Sequence, residues 1–258
     1  MRWDADRYDR AKAPQIEAGK ELTIMAGIRE NDSVLDIGCG TGKLTLELSR
    51  LASRGEVVGI DPSEEMQRKA QEVSAEAGNI RFMEIAAESM DFTEQFDLAF
   101  SNSALQWVKD QPQALDRTHR ALKPGGRIAF QLPTKNFCRE FFEYTEKAIA
   151  LLKFERFYGD MELPWYLPSK EEYEHLLGAA GFSAVNVFYR DYRISFESIG
   201  EIMDWWSSAG LRPYLAALPD KEQGYFSYAV GMQYEQNWTG KKYEFNFRRL
   251  FAFAEKEK

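Results

Sequence analysis

The sequence predicts an α/β fold: a Rossmann-like, seven-stranded, mostly parallel sheet with helices on both faces and a helical, aromatic-rich cap. Three observations predict it. Short apolar runs alternate with amphipathic stretches from residue 14 to residue 132, the β-α-β-α rhythm of a parallel sheet with right-handed crossovers. A glycine cluster, Gly38 to Gly42, stands between the first apolar run and the helix after it. Aromatic residues are uneven: residues 1–136 hold 8 of the 36 and residues 137–258 hold the other 28, which separates a lean first part from an aromatic-lined second.

The elements follow in order. Pro14 to about Met25 is predicted helical, with Pro14 suited to a first turn and Ile16, Leu22 and Met25 roughly on one side. After a turn at Asn31-Asp32, Ser33 to Ile37 is a short strand. Lys43 to about Leu51 is a helix with Leu44, Leu48 and Leu51 on one face. Glu56 to Asp61 is the second strand, and Pro62-Ser63 open a helix that runs to about Ala77. Ile80 to Glu84 and Phe96 to Ser101 are the third and fourth strands. A helix from about Gln113 to Leu122 leads through a turn at Lys123-Pro124-Gly125-Gly126 into a fifth strand, Arg127 to Leu132. Phe137 to about Phe154 is helical and aromatic, and Ser169 to Ala180 is a capped helix ended by Gly181. Ala184 to Phe196 holds one or two strands, helices follow over Ile199–Ser207 and Lys221–Trp238, and Tyr243 to Ala254 is an edge or antiparallel strand.

Length and composition set limits. The chain has 258 residues, 44% hydrophobic and 29% charged, enough for one large domain or a domain with a cap. The expected division is residues 1–30 as an N-terminal lid and helix, 31–135 as the cofactor-binding core, and 136–258 as a helical substrate cap plus the last strands of the same sheet. With 33 Lys and Arg against 41 Asp and Glu, the net charge is −8 and no basic block occurs, which argues against a nucleic-acid partner. No run of 18 apolar residues is present, so no membrane span is expected, and the first twelve residues lack the apolar core of a secretory signal. Cys39 and Cys138 are the only cysteines and lie far apart. That pattern excludes a disulfide scaffold or paired-cysteine metal site and fits the cytoplasm. A monomer or weak dimer is expected.

The chemistry is carried by VLDIGCGTG, Val34 to Gly42, with Asp61 after it. The strand delivers the chain to the sheet edge, the glycines allow positive φ and close ligand approach, and the next helix points its N-terminus at the ligand. Asp61 ends the second strand, 19 residues after Gly42, where a carboxylate can hold both hydroxyls of a ribose. The spacing is G-x-G-x-G rather than G-x-G-x-x-G, and Asp36 stands just before it. An acid there repels a pyrophosphate and suits an ammonium group, which favours S-adenosylmethionine.

The segments DIGCGTG, GIDPSEEM (Gly59 to Met66) and LKPGG (Leu122 to Gly126) resemble those of class I S-adenosylmethionine-dependent methyltransferases over about residues 30–135. NSALQWV (Asn102 to Val108), GLRPYL (Gly210 to Leu215) and RLFAFA (Arg249 to Ala254) are similar to segments of the trans-aconitate methyltransferase group. The resemblance implies S-adenosylmethionine as cofactor and S-adenosylhomocysteine as product. It implies cofactor contacts from Tyr8, Asp36, Gly38, Cys39, Gly40, Gly42, Asp61, Pro62, Met66, Ala87, Glu88 and Asn102. Asp36 and Gly38 would flank the methionine amino group, Asp61 the ribose, and Met66 the adenosine. Ala86 stands where such proteins have an Asp for the adenine amino group, so Ala87 or Glu88 would serve instead. Trp3, Arg7 and Tyr8 would belong to a segment folded over the cofactor.

Methyl transfer is an in-line displacement that asks the protein for alignment and desolvation, not for a metal or a covalent intermediate. A carboxylate acceptor is already ionised, whereas an amine must first lose a proton. The chain has only two histidines, His119 and His175, both read as surface residues, which favours an anionic acceptor. The expected reaction is O-methylation of a carboxylate of a small organic acid; the alternative is N-methylation of an amine or a protein lysine. Gln106, Trp107 and Arg212 are the positioning candidates: the first two follow the fourth strand, and Arg212 lies between Gly210 and Pro213. Arg139, Arg156, Arg190 and Arg193 are further cations of the cap. Trp205 and Trp206 are adjacent, so one is expected to face the core and the other a cleft or interface.

Overall fold

The computed structural model describes residues 14–258 apart from 136, 160 and 209, with side chains from residue 17 onward. Seven strands form one sheet in the order β3-β2-β1-β4-β5-β7-β6. They are β1 (Val34–Ile37), β2 (Val57–Ile60), β3 (Ile80–Met83), β4 (Phe96–Asn102), β5 (Leu122–Pro133), β6 (Ser183–Phe196) and β7 (Tyr243–Glu255). The first five pair in parallel, and β7 and β6 add in antiparallel fashion. The helices are α1 (Pro14–Met25), α2 (Lys43–Leu51), α3 (Glu64–Val73), α4 (Gln111–Ala121), α5 (Arg139–Leu152), α6 (Lys170–Ala179), α7 (Ile199–Ser208), α8 (Arg212–Ala216) and α9 (Asp220–Gln233). Among the described residues no helix is long and apolar enough to cross a membrane.

The strands are apolar on both faces because both faces are covered. Val34, Val57, Leu98, Phe100 and Ala129 turn to one side, where Ala18 and Leu22 of α1, Leu48 of α2 and the aromatic residues of α5, α7 and α9 meet them. Leu35, Val58, Ala99, Ile128 and Phe130 turn to the other, against Leu115 of α4 and Tyr173 and Leu177 of α6. The two-residue period of a strand makes this division.

Three details differ from expectation. Strand β5 starts at Leu122, because Phe96 pairs with Leu122 and Leu98 with Arg127, so the expected Lys123–Gly126 turn is a bulge within the strand. Residues 183–196 form one strand, within the expected one or two, and β7 is antiparallel, the second of its two expected alternatives, inside the sheet with β6 at the border. The helix expected to reach Trp238 ends at Gln233 and tightens into a 3₁₀ turn, Tyr234–Asn237. Trp205 and Trp206 are both buried. Helix α7 is enclosed on two sides: Trp206 stacks on Phe141 of α5 at 4.0 Å, and Trp205 lies 5.5 Å from Phe196 on β6.

Helix α1 is held over the sheet by Arg127. Its guanidinium donates to the Ala26 carbonyl (3.1 Å), the Gly27 carbonyl (2.9 Å) and the buried Asp32 carboxylate (2.7 Å). Removing the cation leaves a buried carboxylate with part of its hydrogen bonding lost. Arg127→Ala should therefore lower unfolding stability by about 2–4 kcal/mol in urea titration. A change under about 0.5 kcal/mol would show that this clamp contributes nothing.

Candidate functional site

Between β1 and β4 the order of strands reverses direction, and such a switch point opens a crevice at the carboxyl ends of the strands. A cavity of about 460 Å³ lies there. That is the size range of small-molecule sites. Its wall takes Asp36 to Thr41 from the turn after β1, Asp61 and Pro62 from the end of β2, Met66 from α3, Ile85 to Glu88 after β3, and Asn102 to Leu105, Trp107 and Val108 after β4.

The turn is stapled to β2. The Gly38 and Cys39 N–H groups donate to the Ile60 carbonyl (2.8 and 3.0 Å), and the Gly40 N–H donates to Asp61 Oδ2 (3.1 Å). Asp61 Oδ1 accepts from the Ser63 N–H (2.9 Å), and Ser63 caps α3. A carboxylate offers about four lone-pair directions, so two such bonds fix Asp61 and leave acceptor capacity for a ligand. Gly38 has φ +73°, and a methyl group there would come within 2.1 Å of the Ala104 Cβ. Gly40 has φ +53°, and a Cβ there would meet no described protein atom within 4 Å, so the space beside it belongs to the cavity. Gly42 is the N-cap of helix α2, and among the described residues no side chain caps it.

Two acids line this floor, Asp36 buried and Asp61 half-buried. Asp36 Oδ2 accepts from the Thr45 hydroxyl (2.6 Å). Burial pushes the Asp36 carboxyl up to about 7, against the Thr45 hydrogen bond and with repulsion from Asp61 adding to the rise. Asp61 is also raised, by burial, against its bonds from Ser63 and Gly40. Burial, with both acids adding, holds the Cys39 thiol protonated. A cationic ligand group would relieve this concentration of negative charge.

Most of the expected cofactor residues meet at this cavity: Asp36, Gly38, Cys39, Gly40, Asp61, Pro62, Met66, Ala87, Glu88 and Asn102. Ala87 and Glu88 lie on a 3₁₀ turn, Ala87–Ser89, which Gln113 of α4 holds through the Glu88 carbonyl (2.9 Å). Trp107 is in the wall, edge-to-face with Trp165 at 5.9 Å.

Three expected residues stand elsewhere. Gly42 turns toward α3, where a Cβ would come within 2.9 Å of Ala70, and it is not part of the cavity wall. Gln106 turns back into the protein, donating to the Ser103 carbonyl (2.7 Å). Arg212 opens the short helix α8 in the aromatic layer and is not part of the cavity wall. Tyr8, with Trp3 and Arg7, lies outside the described residues. His175 is exposed on α6, and His119, packed edge-to-face on Phe182 at 5.0 Å, is half-buried; neither lines the cavity.

Lys20, Leu44, Glu47 and Ser103 join the wall without having been singled out. Lys20 belongs to α1, one residue after Gly19, where a Cβ would come within 2.9 Å of the Asn102 side chain. Only the close docking of α1 brings it there, and no local pattern signals it.

A doubly wound sheet with a glycine turn leading into α2 and an acid closing β2 defines the Rossmann-like class of ligand-binding domains. A family model described as a methyltransferase domain matches residues 28–181, and the chain belongs to that family. It is 27% identical to trans-aconitate 2-methyltransferase of Deinococcus radiodurans, over 98% of each chain, and 29% identical to that of Variovorax paradoxus, over 99% of this chain and 98% of that one. Among solved structures, the YcgJ protein from Bacillus subtilis superposes with a TM-score of 0.65 at 18% identity, over 94% of this chain and 99% of that one. A phosphoethanolamine N-methyltransferase of Haemonchus contortus in complex with S-adenosyl-L-methionine gives 0.61 at 18% identity, over 98% of this chain and 57% of that one. At such identities the structures share the fold.

A carboxyl with a higher pKa folded than unfolded takes up a proton on folding, so its contribution to stability falls as pH rises between the two values. For Asp36 that window runs from about 4 to about 7. Asp36→Asn keeps an acceptor for Thr45 and cannot ionise. Its stability relative to the unsubstituted protein should rise by about 2–3 kcal/mol between pH 5 and 7.5, measured by urea unfolding. A pH-independent difference would show that Asp36 does not titrate in this window.

Proposed function

We propose that the chain is an S-adenosylmethionine-dependent methyltransferase that esterifies a carboxylate of a small organic acid. The observation that carries the cofactor is the pair of acids, the buried Asp36 and the half-buried Asp61, flanking a glycine turn whose open side faces the cavity. These acceptors fit a ligand with hydroxyls at one point and an ammonium group at another. A pyrophosphate would meet two acids and be repelled. The acid acceptor is supported by the full-length likeness to proteins named trans-aconitate 2-methyltransferase.

S-adenosylmethionine, when bound, would supply a methyl carbon on a sulfonium, open to attack by a carboxylate oxygen: the carbon–oxygen bond forms as the carbon–sulfur bond breaks, giving a methyl ester and a neutral thioether. Asp61 would accept from the ribose hydroxyls, with its carboxylate already held by Gly40 and Ser63. Asp36 would face the amino group, Lys20 the carboxylate of the amino-acid end, and Met66 with Ala86 to Glu88 the adenine. Asn102 and Ser103, at the end of β4, would border the acceptor, with Trp107 excluding water beside them. An acceptor carboxylate needs no base, which accords with a cavity wall that includes neither histidine. Residues 31–135 would hold the cofactor, and residues 136–258 would close the acceptor side, as Trp165 does behind Trp107.

Incubation with methyl-labelled S-adenosylmethionine and a panel of carboxylic acids, trans-aconitate included, should yield a labelled small molecule that releases methanol in alkali. An alkali-stable methylamine, or label in protein, would overturn the acid reading. Gly40→Val fills the cavity side of the turn and forces a β-branched residue to positive φ. It should remain folded by circular dichroism and lose about two decades of S-adenosylmethionine affinity by calorimetry, or about 2.8 kcal/mol. Normal binding by a folded variant would remove the turn from the site.

A further inference from the structure

Behind the cavity floor, one polar side chain joins the ends of β2 and β3 to the turn after β1. The buried face of α3 presents Met66, Gln67 and Ala70. Met66 reaches the cavity wall, and Gln67, the next residue, does not. Gln67 is 5% exposed, at a position where the rest of the buried face of the helix is apolar.

The Gln67 amide nitrogen donates to the Met83 carbonyl (2.8 Å) and to the Asp61 carbonyl (3.2 Å), and it lies 3.8 Å from Cys39 Sγ. An amide nitrogen carries two hydrogens, so the two carbonyls use both. Gln67 Oε1 is buried and has no hydrogen-bond partner among the described residues. A buried acceptor left unmet costs stability, so what this side chain contributes lies in its nitrogen.

The Met83 carbonyl is a junction. It also accepts from the Ile85 N–H (3.0 Å) and, at greater length, from the Asp61 N–H (3.3 Å). The register of β2 on β3 ends at Ile60 and Met83. Past that point the Asp61 N–H and the Gln67 bridge hold the two chains together. Asp61 is thus fixed to β3 through both of its main-chain groups, while its carboxylate is held by Gly40 and Ser63. Ile85, bonded to the same Met83 carbonyl, starts the Ile85 to Glu88 stretch of the cavity wall.

We propose that Gln67 is a positioning residue for the nucleoside end of S-adenosylmethionine. Its amide sets the spacing between Asp61, which takes the ribose hydroxyls, and the Ile85 to Glu88 stretch, which takes the adenine. This rests on the cofactor placement given under the proposed function and adds a residue outside the cavity wall. Ribose and adenine are joined by a single bond, so both halves of the site are filled together only at one separation. A small misplacement then lowers affinity although each half is intact. Asp36, Asn102 and Ser103 lie on and after β1 and β4, across β2 from the bridge, so the amino-acid end and the acceptor do not depend on it.

Calorimetry on the full-length protein tests this with S-adenosylhomocysteine and with 5′-methylthioadenosine, which keeps the nucleoside and lacks the amino-acid end. Gln67→Met keeps the length of the side chain and removes both donors, and Gln67→Leu removes them with a shorter chain. Each should lose about tenfold in affinity for both ligands, by factors that agree within about twofold. In turnover with trans-aconitate, KM for S-adenosylmethionine should rise by a similar factor, while kcat and KM for the acid change less than about threefold. A part in packing alone would lower the melting temperature and leave both affinities unchanged, and that result overturns the proposal. So does a loss confined to S-adenosylhomocysteine, which would put the effect at the amino-acid end. Failure of both variants to fold overturns it as well, because the amide would then serve the fold. Asp61→Ala is the control for the placement beneath it. If Asp61→Ala binds both ligands normally, or the unsubstituted protein binds neither, the cofactor placement fails and Gln67 falls with it. If Asp61→Ala weakens both ligands and the Gln67 variants bind normally, only the role of Gln67 fails.

Discussion

The hydrogen bond from the Gly40 N–H to the Asp61 carboxylate ties the turn after β1 to the end of β2, and the cavity takes its shape from that tie. It works only because the turn is held on its other side as well. Gly38 is pressed against Ala104, so the segment after β4 sets how far the turn can lean, and Ser63 fixes the second oxygen of Asp61. Three strand ends are thereby locked to one another. A residue with a side chain at position 38 would push the segment after β4 away, and one at position 40 would occupy the ligand's space. The glycines are thus required by two different neighbours, one within the protein and one from outside it.

Electrostatics orders the same edge. Burial raises Asp36 and Asp61 because the sheet and its helices exclude water from them, and the Asp61 charge adds to the rise at Asp36. A ligand carrying positive charge gains from both.

Much of this was legible in the residues. The parallel half of the sheet follows from apolar runs separated by helical periods, and the turn follows from glycines at the end of the first run. Asp61 was legible because an acid closing the second strand falls beside that turn in any such topology. The burial of both Trp205 and Trp206 was not, since periodicity shows which way a side chain points and not how many layers lie around the helix. The interior place of β7 was hidden for a similar reason: strand pairing is a long-range choice, and its apolar residues read as well for a border strand. Arg212 was misplaced because a rigid backbone between Gly210 and Pro213 says nothing about direction. Lys20 reaches the cavity only through the docking of α1.

A crystal structure of the protein with S-adenosylhomocysteine tests the central claim most directly. The account predicts ribose hydroxyls within hydrogen-bond distance of the Asp61 carboxylate, the amino group on the Asp36 side of the turn, and the Gly40 Cα in van der Waals contact with the ligand. The sulfur should point toward Asn102 and Ser103. A ligand bound elsewhere, or one that crosses the cavity without touching Asp61 or the Gly38–Gly40 turn, would contradict it.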